Sequence, residues 1–185
     1  MTINVVGVGG SLRARSQSVQ AMRAVLAGAE QAGAKTTLLS GDDLLLPFYD
    51  PSVRDRSDVA RHLVEELRAA DGIVLVSPGY HGTVSGFVKN ALDYTEDLRE
   101  DVRPYLDGRA VGCVAMASGW QAAVTTLTAL RSIVHALRGW PTPLGAAVNS
   151  AEVTFEGGEC SSDQVATTLR MIGEQVVEFA LNKQG

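Results

Sequence analysis

Only two of the 185 residues are cysteines, and neither stands in a metal-spaced cluster. A disulfide framework and a cysteine-ligated metal centre are therefore not expected, and a reduced, cytoplasmic setting is. No apolar stretch approaches the ~20 residues of a membrane span. The N-terminus, MTINVVGVGG, has no basic segment followed by a long apolar run, so no secretory leader is expected. A basic excess is lacking too: the net charge is −5, which argues against a nucleic-acid binder. Low-complexity tracts and charge runs are absent, and with them the expectation of long disorder. Three motifs are also missing. There is no GxxxxGKS/T phosphate loop and no GxSxG nucleophile elbow. A GxGxxG fingerprint starting from Gly7 and Gly9 fails because Leu12 stands at its last glycine.

What is present is a strict alternation of two patterns. Continuous apolar runs cover Ile3 to Gly9, Lys35 to Ser40, Gly72 to Ser77, Ala110 to Ala117 and Pro143 to Val148. Runs without polar alternation suit strands buried on both faces, as in a parallel sheet. Pro141 and Pro143 mark the last run as an edge strand, where a missing N–H is tolerated. Between the runs, apolar residues recur at helical spacing in Ser16 to Gln31, Ser57 to Ala70, Val84 to Leu98, Gln121 to Leu137 and Asp163 to Leu181. Alternating strands and helices predict an α/β fold, a doubly wound five-stranded parallel sheet in the order 2-1-3-4-5. The chain has the length of one compact domain, 1–185, with no linker or repeat. Its longest irregular stretches are Gly41 to Arg56 and Asn149 to Ser162.

In such a sheet, ligands bind beyond the carboxyl ends of the strands, where strand order reverses. The loops after strands 1 and 3 flank that point, and they are the most unusual in the chain. The first, GGSLRARSQS, pairs the turn-permitting Gly9 and Gly10 with Ser11, Arg13, Ser16 and Ser18 at the start of a helix. A helix N-terminus, hydroxyls and an arginine fork suit a terminal phosphate monoester, as in a mononucleotide. Arg15 either helps or is solvated, and an ordinary turn with a serine N-cap is the plainer alternative. The second loop, Pro78-Gly79-Tyr80-His81-Gly82-Thr83, offers backbone donors and an aromatic face to a flat heteroaromatic ring. The third, Ser118-Gly119-Trp120, should reach the same crevice; Trp120 either covers a ring, seals a subunit contact or anchors the loop. His62 and His135 fall within helical patterns and are expected to be surface or core residues. Cys113, inside an apolar run, reads as a small buried residue.

These residues resemble a known family. Gly10-Ser11-Leu12-Arg13-Ala14-Arg15-Ser16 is similar to the GSxRxxS phosphate loop of the NADPH-dependent FMN reductases, flavodoxin-like proteins that include azo, chromate and quinone reductases. Pro78 to Thr83 resembles their PxYNGS flavin loop, and Gly86-Phe87-Val88-Lys89-Asn90-Ala91-Leu92-Asp93 their GxxKNxxD helix start. Leu46 to Asp50 resembles the loop after strand 2. The resemblance runs from Val5 to about Phe179. It implies that Ser11, Arg13, Ser16 and Ser18 hold the FMN phosphate. It places Pro78, Gly79, Tyr80, His81, Gly82 and Thr83 along the isoalloxazine ring, with Ser118 and Gly119 on its far side. Three departures stand out: Gly79 where a side chain is common, His81 in place of Asn, and Gln121-Ala122-Ala123 in place of a glycine pair.

The resemblance further implies hydride transfer from NADPH or NADH to FMN. The flavin carries that chemistry, so no catalytic side-chain acid or base is expected, and no metal. Reduced flavin would go to quinone-like small acceptors or to a partner monooxygenase. A homodimer or homotetramer built through the helix carrying Lys89, Asn90 and Asp93 is implied as well. An FMN electron carrier without nicotinamide turnover is the main alternative. Against it stands the serine-arginine loop, where flavodoxins favour threonines. A flavin-binding sensor is the third.

Overall fold

The computed structural model describes residues 2–13 and 16–184. Strands β1 (Asn4–Gly9), β2 (Lys35–Leu39), β3 (Gly72–Tyr80) and β5 (Ala110–Ala117) lie parallel in the order β2-β1-β3-β5. The outer edge of β5 carries two short parallel segments instead of one strand. β6 (Trp140–Pro141) pairs with its start and β7 (Ala146–Asn149) with its end. The division falls where Pro143 has no N–H to give to a ladder. The α/β doubly wound class and the core order are those expected, with the fifth strand split.

Two other elements differ from the sequence reading. β3 does not stop at Ser77 but runs through Pro78 to Tyr80. β1 ends opposite Val76, so at Pro78 one side of β3 has no ladder for proline to break. Beyond the turn at His81 and Gly82, β4 (Thr83–Val84) folds back antiparallel onto β3. The helix expected from Val84 to Leu98 is correspondingly divided. α3 spans Gly86–Asp93, and a 3₁₀ turn covers Tyr94–Leu98.

Helices α1 (Gln17–Gln31) and α5 (Asp163–Gln184) cover one face of the sheet; α2 (Asp58–Ala69), α3 and α4 (Trp120–Ala136) cover the other. Successive strand residues point to opposite faces, so Val5 and Val74 join Met22, Val25, Ile172 and Val176, while Val6 and Ile73 join Leu63, Val88 and Leu130. α1 and α5 pack so closely that a Cβ on Gly173 would lie 2.1 Å from Val25 O. In the second irregular stretch, β8 (Phe155–Glu156) and β9 (Glu159–Cys160) form a hairpin about Gly157 and Gly158, both at positive φ. Among the described residues, no helix is long and apolar enough to cross a membrane.

The first irregular stretch is pinned to α3. Asn90 Oδ1 accepts from Tyr49 N–H at 2.9 Å, and its Nδ2 donates to Pro47 O at 2.9 Å. Arg56 forks onto Asp97 through two bonds of 2.7 Å and stacks over the Tyr49 ring at 4.6 Å. The Asp97 hydrogen bonds hold the Arg56 pKa above its ordinary value.

Candidate cofactor site

The carboxyl ends of β1, β3 and β5 deliver three loops to one crevice. The first leaves β1 through Gly9 and Gly10, with φ of +132° and +85°. A Cβ on Gly9 would lie 2.0 Å from Val76 O, and one on Gly10 2.6 Å from Val19 Cγ2. Only glycine lets the chain pass between β3 and α1 here. Gly10 N–H donates to Val76 O at 2.8 Å. The loop then curls on itself: Arg13 N–H donates to Ser11 Oγ at 3.3 Å, and Ser16 N–H to Arg13 O at 2.9 Å. Ala14 and Arg15 lie outside the described residues.

Where α1 begins, Ser16 stands at the N-cap but makes no side-chain cap bond, and the first turn holds no acidic residue. Its hydroxyl is instead 2.6 Å from that of buried Ser18. By contrast, Ser57 and Ser85 cap α2 and α3 in the ordinary way. The α1 first turn therefore receives no side-chain cap from Ser16, and its amides stand at the positive end of the helix dipole.

The second loop is a rigid hairpin. Buried Ser77 Oγ accepts from Ser85 N–H at 3.0 Å and donates to Pro78 O at 2.9 Å. Thr126 Oγ1 donates to Thr83 O at 3.2 Å, tying β4 to α4. The closeness of α4 explains the glycine at position 79: a Cβ there would meet Thr126 Oγ1 at 2.5 Å. His81 has φ +51°, in the left-handed region that Asn and His tolerate better than most residues. The third loop turns at Gly119, φ +134°, and Ser150 N–H donates to Ala117 O at 2.9 Å, drawing the β7 end alongside.

Ser11, Arg13, Ser16, Ser18, Pro78, Gly79, Tyr80 and Ser118 line one cavity of about 500 Å³. That volume is ordinary for a small-molecule site. A smaller hollow of about 210 Å³ shares Ser11, Arg13, Pro78 and Tyr80 and continues to Phe87. His81 and Gly82 form the hairpin tip, Thr83 begins β4 and Gly119 caps α4; these four are not on the lining. Five lining residues escaped the sequence reading: Gln17, Met116, Ala117, Ala122 and Ser150. Gln17 sits beside the phosphate loop, and its amide makes a two-point clamp on the hairpin beyond β7. Its Nε2 donates to Phe155 O at 3.0 Å, and its Oε1 accepts from Phe155 N–H at 2.6 Å. No three metal-ligating side chains group together among the described residues.

The sequence profile of the NADPH-dependent FMN reductases matches residues 3–153. An FMN-dependent NADPH-azoreductase of Staphylococcus haemolyticus is 29% identical over 135 residues, covering 71% of this chain and 68% of that protein. Its Staphylococcus aureus counterpart is 30% identical over the same shares. The NAD(P)H:acceptor flavoenzyme FerB of Paracoccus denitrificans superposes with a TM-score of 0.80 at 19% identity, over 98% of both chains, and so shares the fold. On its matched loops, its cleft and its relatives, this chain belongs to the NADPH-dependent FMN reductase family and is an NAD(P)H-dependent flavin oxidoreductase.

Proposed function

We propose that the cleft holds FMN with its phosphate against the β1–α1 loop and its ring along Pro78 to Tyr80, and that electrons from NAD(P)H leave for a quinone-like or azo acceptor. One observation carries this reading: the phosphate-type donors and the β3 hairpin line a single cavity. The residues fit the group chemically. Ser11, Ser16, Ser18 and the Arg13 fork are donors suited to a phosphate monoester, and the uncapped first turn of α1 adds backbone N–H groups. Gly79, which has no side chain, and the Pro78 ring leave a smooth wall beside which a flat ring would lie.

Bound FMN would supply hydride acceptance and release. The chain's own tasks are binding and orientation. Arg13 would offset part of the phosphate charge and the serine hydroxyls would donate hydrogen bonds to it, together fixing the register of the cofactor. The Ser77–Ser85 relay and the Thr126 bond keep the Pro78–Thr83 hairpin from moving under it. Tyr80, 55% exposed, borders the mouth through which a nicotinamide would enter. No side-chain acid or base is assigned, because none is needed for hydride transfer.

The azoreductase relatives support a small aromatic acceptor; delivery of FMNH2 to a partner monooxygenase is the competing fate. We also propose a homo-oligomer, since Phe48 stands 92% exposed on a loop that Asn90 and Arg56 hold rigid. A cytoplasmic setting agrees with two free cysteines. The test is anaerobic: purified protein with FMN receives NADPH or NADH while flavin absorbance is followed. Rapid protein-dependent bleaching is expected. Bound FMN without bleaching would favour the electron carrier.

A further inference from the structure

One hydrogen bond joins two residues that stand beside the cavity, neither of them on its lining. Trp120 opens α4 between Ser118 and Ala122, both of which line the cavity. Glu152 follows Ser150, which lines it from the β7 side. The Trp120 indole N–H donates to Glu152 Oε1 at 2.9 Å, and the same oxygen accepts from Asn149 Nδ2 at 2.6 Å. Asn149 is buried at the end of β7, and its Oδ1 accepts from Ala151 N–H. Two further N–H groups, of Glu152 and Val153, donate to its carbonyl. The polar edge of the indole is thus fixed by a carboxylate, which is itself fixed by a buried amide at a strand end.

Despite this bracing, Trp120 remains 52% exposed. A side chain with its edge held and its surface open has already lost its rotamer freedom, so contact with a ligand costs little further ordering. The negative π-face of an indole favours flat, electron-poor rings. The other tryptophan supplies the contrast. Trp140 is equally open at 58%, but it leans on Phe179 and pairs with Ala110 at the amino end of β5, away from the cavity.

We propose that Trp120 is a specificity-determining residue that stacks flat, electron-poor aromatic acceptors, of the quinone type, at the mouth of the cleft. Glu152 is the positioning residue that holds it there. This rests on the reading of the cleft as the FMN site.

The test uses oxidised, FMN-loaded protein without nicotinamide, so that binding is read apart from turnover. FMN affinity is measured first for every variant; a sulfonated naphthoquinone is then titrated calorimetrically. Trp120→Ala is expected to weaken the quinone about tenfold, and Trp140→Ala to leave it within about twofold. Glu152→Ala should weaken it about fivefold, while Glu152→Gln, which keeps an acceptor oxygen for the indole, should restore it to within about twofold. FMN affinity should stay put throughout. Unchanged quinone affinity in Trp120→Ala would overturn the proposal, as would a loss matched by Trp140→Ala or by a parallel loss of FMN. A shift of Trp120→Ala to a smaller oligomer, with quinone affinity intact, would make the indole a subunit contact instead. Failure of the unmodified protein to bind FMN would overturn the cofactor reading itself, at the first step.

Discussion

The two ends of the sheet handle polar groups in opposite ways. At the amino end, Arg109 is 1% exposed, yet its guanidinium donates to the carbonyls of Arg68, Ala70, Tyr105 and Asp107. Arg103 adds two more bonds to the same Arg68 and Ala70 carbonyls, which close the C-terminus of α2. Burial, followed by the nearby Arg103 charge, lowers the Arg109 pKa to about 10, so it stays protonated at neutral pH. At the carboxyl end, Ser16 leaves its helix uncapped, and Arg13 makes no ion pair among the described residues. A buried charge whose donors meet carbonyls of the chain is structural. At the carboxyl end, Ser11, Arg13, Ser16 and Ser18 instead line a cavity, and the binding role proposed for them is what substitutions there test.

Substitutions at the two ends should therefore separate stability from binding. The largest effect belongs to the amino end. Arg109→Ala strands several buried carbonyls and should cost about 3 kcal/mol in denaturant unfolding. The FMN affinity of the molecules that remain folded should not change. A smaller effect, of the opposite kind, is expected at the carboxyl end. Ser18→Ala should weaken FMN about tenfold, roughly 1.4 kcal/mol, while leaving the unfolding midpoint nearly in place. If Ser18→Ala lowered stability and spared FMN, the contrast between the ends would collapse.

The smallest effect concerns the core between the ends. Burial pushes the Cys113 thiol up to about 12. The unfolded chain ionises this thiol near its ordinary value, whereas the folded chain holds it protonated. Its contribution to stability is accordingly complete below pH ~8.5 and is lost as pH rises towards 12. In the native protein at pH 8, a thiol reagent should modify the half-buried Cys160 and spare Cys113, with both reacting after unfolding. Modification of Cys113 at the same rate as Cys160 would show that the sheet opens locally.

The frame of the molecule was legible because buried parallel strands need unbroken apolar runs, and Ala110 to Ala117 matches its strand residue for residue. That Ser11, Arg13, Ser16 and Ser18 belong together at one cavity was legible because their residue types are rare in one loop. Pro78 misled the reading of β3, since its tolerance there depends on where β1 ends, which is a property of sheet register. Met116, Ala117 and Ala122 are ordinary apolar residues that line the cavity only because β5 and α4 lie beside β3. Ser150 reaches the cavity through a backbone bond to Ala117 that no local pattern announces. The hairpin about Gly157 and Gly158 did carry a signal, a Gly-Gly pair between two short runs. The polar cage around Arg109 carried none, because its acceptors are backbone carbonyls.

The donors at the carboxyl end of the sheet are proposed as a phosphate site for FMN. Riboflavin, the same ring without the phosphate, tests it most directly. Fluorescence titration of both flavins should give FMN at least about a hundredfold tighter, roughly 2.7 kcal/mol, and a combined Arg13→Ala, Ser16→Ala, Ser18→Ala variant should lose most of that difference. Equal affinity for the two flavins in the unmodified protein would mean that the donors do not bind the phosphate.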